Sequence, residues 1–223
     1  LKNINLICLS NNEKNYLIEK LNNQNISYIP FGIDSNFWVK NEPINNDNKY
    51  IFAIGNDYAR DWDTLIKSWE NDFPNLRILT SSKIKTNKRN IEIIKSEWGR
   101  QIFTDEEIRN FYLGSLFVVL PLRDTIQPSG QSCCLQAMAC GRPVIMTKTK
   151  GLWDENLLQN KENLILVKTE SSTVLKNAIK DLLKNQELQN KLSLNGQKLI
   201  EENFNNKLMS EYLRLKIYNI LRN

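Results

Sequence analysis

Apolar and polar positions along the chain switch between two periods, and the sharpest switch lies between Leu116 and Thr147. Leu116-Phe117-Val118-Val119-Leu120 is a continuous apolar run, too short for a typical helix and too uniformly apolar for a strand with one wet face. It predicts a central parallel strand covered on both sides. A polar loop follows from Pro121 to Pro128. Ser129-Gly130-Gln131-Ser132 then leads into Cys133 to Cys140, whose small and unbranched residues predict a tightly buried helix. Gly141 ends that helix, and Arg142-Pro143-Val144-Ile145-Met146-Thr147 supplies the next strand, with its Pro at the start where a missing N–H is tolerated. Strand, loop, helix and strand make a βαβ unit.

The rest of the pattern extends it. Ile4 to Leu9 and Ile26 to Pro30 read as strands around a helix from Asn12 to Leu21 capped by Ser10. Asn41 to Asn48 is polar, without apolar period, and reads as a surface connection. Strands are predicted at Lys49–Gly55, Asn75–Thr80, Asn90–Lys95 and Asn163–Val167. The first of these is followed by a helix beginning near Arg60, and Thr104 to Glu107 form a capping box ahead of another. Val174, Leu175, Ala178, Ile179, Leu182 and Leu183 recur at helical spacing, and two more helices follow at Gln186–Glu202 and Asn205–Leu221. The expected class is α/β: a Rossmann-like parallel sheet with helices on both faces.

In an open parallel sheet, ligands sit where strand ends meet helix starts. Ser129, Gly130, Gln131 and Ser132 are therefore the candidate ligand loop. Gly130 admits close backbone approach, and the first-turn N–H groups at a positive dipole end suit a phosphate or diphosphate. The same residues also read simply as a helix cap.

Composition narrows the chemistry. The chain has 223 residues, 41% hydrophobic, enough for a real core. Thirty basic against 25 acidic residues give a net charge of +5. This mild excess suits a phosphorylated ligand or peripheral contact with an anionic membrane face, not a nucleic-acid footprint. The basic segment Lys83 to Arg89 lacks interleaved aromatics and reads as a solvated loop. Histidine is absent, which excludes His-based triads and His metal sites. Cys8, Cys133, Cys134 and Cys140 show no C-x-x-C pairing and read as buried free thiols of a cytoplasmic protein, with no metal site expected. No stretch approaches the ~20 apolar residues needed to span a bilayer.

The run LQAMACGRPVI, followed by Gly151 and Glu155, resembles the signature of retaining glycosyltransferases of family 4. These are two-domain GT-B enzymes that take a sugar from a nucleotide-diphosphate donor held mainly by the C-terminal domain. Their motif carries two Glu residues, which here fall on Pro128 and Gln136. Ile29-Pro30-Phe31-Gly32-Ile33-Asp34 with Phe37 is similar to the family's interdomain linker. The resemblance divides the chain into residues 1–30, the tail of an acceptor-side domain; 31–48, a linker; 49–204, the nucleotide-sugar-binding domain; and 205–223, a helix crossing back to the first domain. A chain that begins at Leu1 without Met is then expected to lack most of that first domain and to transfer poorly alone.

The resemblance also assigns residues. Arg60 aligns with one of the family's two diphosphate-gripping cations, while Asn56 stands where the other would be. Ser129 to Ser132 would contact the diphosphate and Gln136 the ribose, since it lies four residues after Ser132 on the same helix face. Arg123 and Asp124 would face the transferred sugar as tentative catalytic residues. Lys83 at a strand end and Arg100, beside Trp98 in the nucleobase loop, complete the donor set; Trp98 reads equally as a core anchor. No cofactor beyond the nucleotide-sugar donor is implied, and the acceptor is a glycan, a lipid or a small molecule. A non-catalytic sugar-nucleotide-binding or scaffold protein, or a nucleotide-sugar epimerase, would use a related fold.

Overall fold

The computed structural model describes residues 4–39, 50–97 and 102–222. In the first segment β1 (Leu6–Cys8), α1 (Asn11–Leu21) and β2 (Ile26–Tyr28) form a two-stranded parallel βαβ unit. Ser10 caps α1 by accepting from the Glu13 N–H at 3.2 Å. A short helix, α2 (Ser35–Trp38), is capped by the Asp34 side chain. The expected connection at Asn41 to Asn48 lies outside the described residues, as do Trp98 and Arg100.

The main sheet has six parallel strands: β3 (Tyr50–Ile54), β4 (Leu76–Thr80), β5 (Ile91–Lys95), β6 (Ser115–Leu120), β7 (Val144–Lys148) and β8 (Ile165–Lys168). Their spatial order is β5-β4-β3-β6-β7-β8. Counted from the first of them, this is the doubly wound order 3-2-1-4-5-6, whose direction reverses between β3 and β6. The uniformly apolar run at Phe117 to Leu120 is one of the two central strands, and all four residues are fully buried.

Side-chain alternation explains the layers. Phe52, Val118, Leu120, Val144 and Met146 point into one core, which they share with α4 (Asp105–Leu113) and α5 (Gln131–Ala139). Ile51, Ala53, Ile78, Phe117, Val119, Ile145 and Val167 point into the other, packed on α3 (Trp62–Ser68) and α6 (Ser172–Lys184). The next helix, α7 (Gln186–Asn203), contributes Leu192 to the second core and Leu199 and Ile200 to the first. The final helix, α8 (Asn206–Arg222), buries no residue, and Tyr212, Leu215 and Tyr218 are about half exposed.

Two sequence readings shift. The helix expected to begin at Arg60 begins at Trp62, because Asp61 takes the capping position and accepts from the Thr64 N–H at 3.2 Å. Arg60 is left in the loop, bridged to Leu122. The cysteines are not all buried: Cys8, Cys134 and Cys140 are, whereas Cys133 is partly exposed because it lies on the helix face turned toward that loop.

Lys88, from the basic segment, closes the C-terminal end of α3 by donating from Nζ to the Ile66 carbonyl at 2.7 Å and to the Trp69 carbonyl. Lys88→Met is therefore expected to cost about 1.5 kcal/mol, read as a lower urea midpoint. An unchanged midpoint contradicts this capping role.

Candidate functional site

The crevice at the reversal point is walled by two loops, Gly55–Arg60 after β3 and Pro121–Gly130 after β6. They are stitched by main-chain bonds: the Arg123 N–H donates to the Ala59 carbonyl at 2.8 Å and the Asp61 N–H to the Pro121 carbonyl at 3.0 Å. The Arg123 side chain adds bonds from Nη1 to the carbonyls of Tyr58 (3.2 Å) and Arg60 (3.1 Å), so its guanidinium is spent on holding the loops together.

Arg60 is the unusual residue. Its side chain is only 2% exposed. Nε lies 3.2 Å from Asp57 Oδ2, at ion-pair distance but outside hydrogen-bond geometry. Nη2 donates to Cys133 Sγ at 3.5 Å, and Nη1 has no hydrogen-bond partner. Two glycines make room for it. A Cβ on Gly55 (φ +151°) would lie 1.7 Å from Arg60 Nε, and one on Gly130 (φ +74°) would lie 2.8 Å from Nη1. Both backbone angles belong to the region L side chains rarely adopt, so glycine serves conformation and space together.

Gly130 is also the cap residue of α5 and supplies no side-chain bond to the helix end. The first helical bond runs from the Cys134 N–H to the Gly130 carbonyl, leaving the amides of Gln131, Ser132 and Cys133 without intrahelical acceptors. A buried cation with a free donor thus stands against a helix N-terminus that is itself positive. Like fields that close are stabilised by an anion between or above them, and burial of an unsatisfied guanidinium is costly without one.

The other expected residues divide. Ser129 and Ser132 flank the α5 start, Ser132 exposed and Ser129 half-buried. Gln131 is buried and turned away, its Nε2 donating to the Leu9 carbonyl at 3.0 Å, which ties α5 to the end of β1. Gln136 is half-buried on the same face as Cys133 and accepts through Oε1 from the Tyr112 hydroxyl at 3.2 Å. Burial holds Tyr112 well above its usual pKa, so its hydroxyl remains a donor.

Asp124 turns from the crevice toward Lys150, accepting from its N–H at 3.0 Å and pairing with its Nζ at 2.9 Å. These two contacts, the backbone one first, hold the Asp124 carboxyl below its usual range. This tie is present above the ordinary carboxylate range and is lost as pH falls through the lowered value. Asp124 also lines an open cavity of about 800 Å³ with Lys148, Lys168 and Glu155 beyond the ends of β7 and β8. Lys83 is exposed on the loop after β4.

A second cavity, about 420 Å³, adjoins the crevice and is lined by Ile54, Asn56, Ser96, Ile102 and Phe103. Asn56 stands where the resembled family has a cation. Its Oδ1 accepts from the Ser81 N–H at 2.6 Å and from Ser96 Oγ at 3.1 Å, knitting the ends of β3, β4 and β5. Gly55, Asp57, Tyr112 and Cys133 were not legible as site residues. The one available signal was Gly55 at a strand end, where backbone often approaches a ligand or another side chain.

A doubly wound sheet whose reversal point presents a helix start and a buried arginine is Rossmann-like, and in such open sheets ligands sit at that point. The family model for glycosyl transferases group 1 matches residues 34–199, and the chain belongs to that family. It is 28% identical over 200 residues to an uncharacterized glycosyltransferase of Methanocaldococcus jannaschii, covering 86% of this chain and 53% of the relative. The fold is similar to that of sucrose-phosphate synthase from Thermosynechococcus elongatus, with a TM-score of 0.81, 19% identity, and coverage of 100% of this chain and 60% of that one. It is also similar to Anabaena HepE in complex with UDP and glucose, with a TM-score of 0.77, 14% identity, and coverage of 96% and 63%. The architecture is that of one α/β half of a GT-B glycosyltransferase. The chain spans about half the length of the archaeal relative.

Proposed function

We propose that this chain supplies the donor-binding half of a retaining, family 4 glycosyltransferase that moves a sugar from a nucleoside-diphosphate sugar to an acceptor. The observation that carries the reading is Arg60: a buried guanidinium with an unpartnered Nη1 beside an uncapped helix start at the sheet's reversal point. In this reading the diphosphate lies over Gly130, between the α5 amides and the guanidinium. The nucleobase enters the cavity by Asn56 and Phe103, and the ribose meets Gln136. UDP in the HepE complex supports a uridine donor.

Charge builds on the diphosphate as the glycosidic bond breaks, and fixed donors already aimed there stabilise it without reorganisation. Loss of that bond needs no enzyme nucleophile if the leaving phosphate receives the acceptor's proton. The residues of this chain then bind, orient and neutralise. Arg123 acts as the brace of the two loops, and Asp124 and Lys83 lie at the margin.

Isothermal calorimetry with UDP, GDP and ADP tests the donor half of the reading: one of the three is expected to bind, and its sugar conjugate to compete with it. Binding by none contradicts it. Product analysis with the conjugate tests the rest, with transferred sugar expected.

One observation favours a second reading, a non-catalytic sugar-nucleotide-binding protein. An amide at Gln136 and a pyrrolidine ring at Pro128 stand where the resembled enzymes carry carboxylates. Tight binding with no turnover of any donor selects it, and an isomerised donor selects an epimerase.

Gln136→Glu discriminates further. A carboxylate accepts ribose hydroxyls with charge-assisted strength and still accepts from Tyr112. The variant is expected to bind the nucleoside diphosphate about fivefold more tightly, roughly 1 kcal/mol, with a melting temperature near the parent's. A large fall in melting temperature without rescue by nucleotide contradicts the ribose contact.

A further inference from the structure

The four thiols are not equivalent. Cys8, Cys134 and Cys140 are buried. Burial pushes all three up, Cys140 to about 12, so each stays protonated at neutral pH. Cys133 is the partly exposed one, and it occupies the first turn of α5.

Its surroundings are built. Cys133 Sγ accepts from Arg60 Nη2 at 3.5 Å, and the Arg60 side chain, 2% exposed, keeps Nη1 without a partner beside it. Across the same helix turn lie the amides of Gln131, Ser132 and Cys133 itself, which no intrahelical acceptor reaches. A buried guanidinium that pairs with Asp57 and Cys133 but keeps Nη1 without a partner, together with uncapped N–H groups, is a niche for a negatively charged group. An incoming anionic disulfide is drawn to the sulfur that attacks it.

We propose that Cys133 is a thiol-modification site inside the donor pocket, reacting with anionic low-molecular-weight disulfides of the glutathione type, so that mixed-disulfide formation and nucleotide binding exclude each other. The step balances. Cys133 loses its proton to solvent, its sulfur attacks one sulfur of the disulfide, the Cys133 S–S bond forms as the reagent's S–S bond breaks, and one thiolate leaves. An added thiol reverses it by attacking the same bond. The carboxylates of a glutathionyl group would take the place given above to the diphosphate, so this inference rests on that donor reading.

The test uses the whole, unmodified chain and two probes, oxidised glutathione and iodoacetamide, with the modified peptide identified by mass spectrometry. Cys133 is expected to react at least about tenfold faster than Cys8, Cys134 or Cys140. A saturating nucleoside diphosphate is expected to slow Cys133 by a similar factor and leave Cys8 unchanged. Glutathionylated chain is expected to show no calorimetric nucleotide binding until a reductant restores it. The Cys133→Ser variant reports whether the fast phase belongs to this sulfur.

Failure of the two readings can be told apart. If UDP, GDP and ADP all fail to bind unmodified chain, the donor reading and this proposal fall together. If one binds but Cys133 is slow, unprotected, or modified without loss of binding, the proposal falls alone.

Discussion

Arg60→Met is expected to weaken nucleoside-diphosphate binding about ten- to hundredfold while leaving the melting temperature unchanged or raised. The affinity loss follows from removing a charge-assisted bond of roughly 1.5–3 kcal/mol to a phosphate oxygen. The stability side follows from what Arg60 lacks. Its Nη1 is buried without a partner and its Nε meets Asp57 only at ion-pair distance. Replacing such a cation by an apolar side chain of similar volume removes a desolvation cost that Asp57 offsets only in part. Asp57, about one-third exposed, can be rehydrated when its partner goes. A structural arginine would behave the other way, with a lower melting temperature and unchanged affinity. Thermal melting and calorimetry on the same preparation separate the two. Arg60→Lys is expected to fall between parent and Arg60→Met, since an ammonium keeps the charge without the planar fork.

The second large effect belongs to Gly55→Ala. The new Cβ would sit 1.7 Å from Arg60 Nε at a backbone φ of +151°. Strain and displacement together are expected to cost about 2–5 kcal/mol of stability, and the displaced guanidinium to cost nucleotide affinity as in Arg60→Met. Gly55→Ala and Arg60→Ala should not add. In Gly55→Ala/Arg60→Ala the collision is gone, so about 1–3 kcal/mol of the loss should return, leaving the backbone strain. Denaturant unfolding of the four proteins measures this. Simple additivity would mean that Gly55 does not make room for Arg60.

That coupling also explains what the sequence could and could not disclose. The uninterrupted apolar runs at Leu116 to Leu120 and Tyr50 to Ile54 report burial on two faces, and such patterns are local. The capping residues Ser10 and Thr104 were legible for the same reason, each bonding three residues onward. Two of the misreadings arise at contacts between distant segments. Arg60 reads as the start of α3 until β3 and β6 lie side by side, which bridges it to Leu122 and brings Gly55 and Gly130 around it. Gln131 reads as a ligand in the α5 loop until Leu9 arrives to accept its amide. The short α2 escaped for another reason: four residues carry too little period to register.

Within the site, legibility followed backbone rather than side chain. The α5 start was readable because Ser129-Gly130 after a buried strand specifies a helix N-terminus whatever packs nearby. Asp124 was placed toward the transferred sugar from its position on the loop leaving the central strand. Its direction depends on Lys150, which only the adjacency of β6 and β7 brings within 2.9 Å.

The most direct measurement of the central claim is a crystal structure of this chain with the nucleoside diphosphate that calorimetry selects. A phosphate oxygen is expected within about 3 Å of an α5 first-turn amide, with Arg60 on the same phosphate. A nucleotide seated instead in the cavity of Lys148, Lys168 and Glu155 beyond β7 and β8, with Arg60 Nη1 still unpartnered, would contradict it.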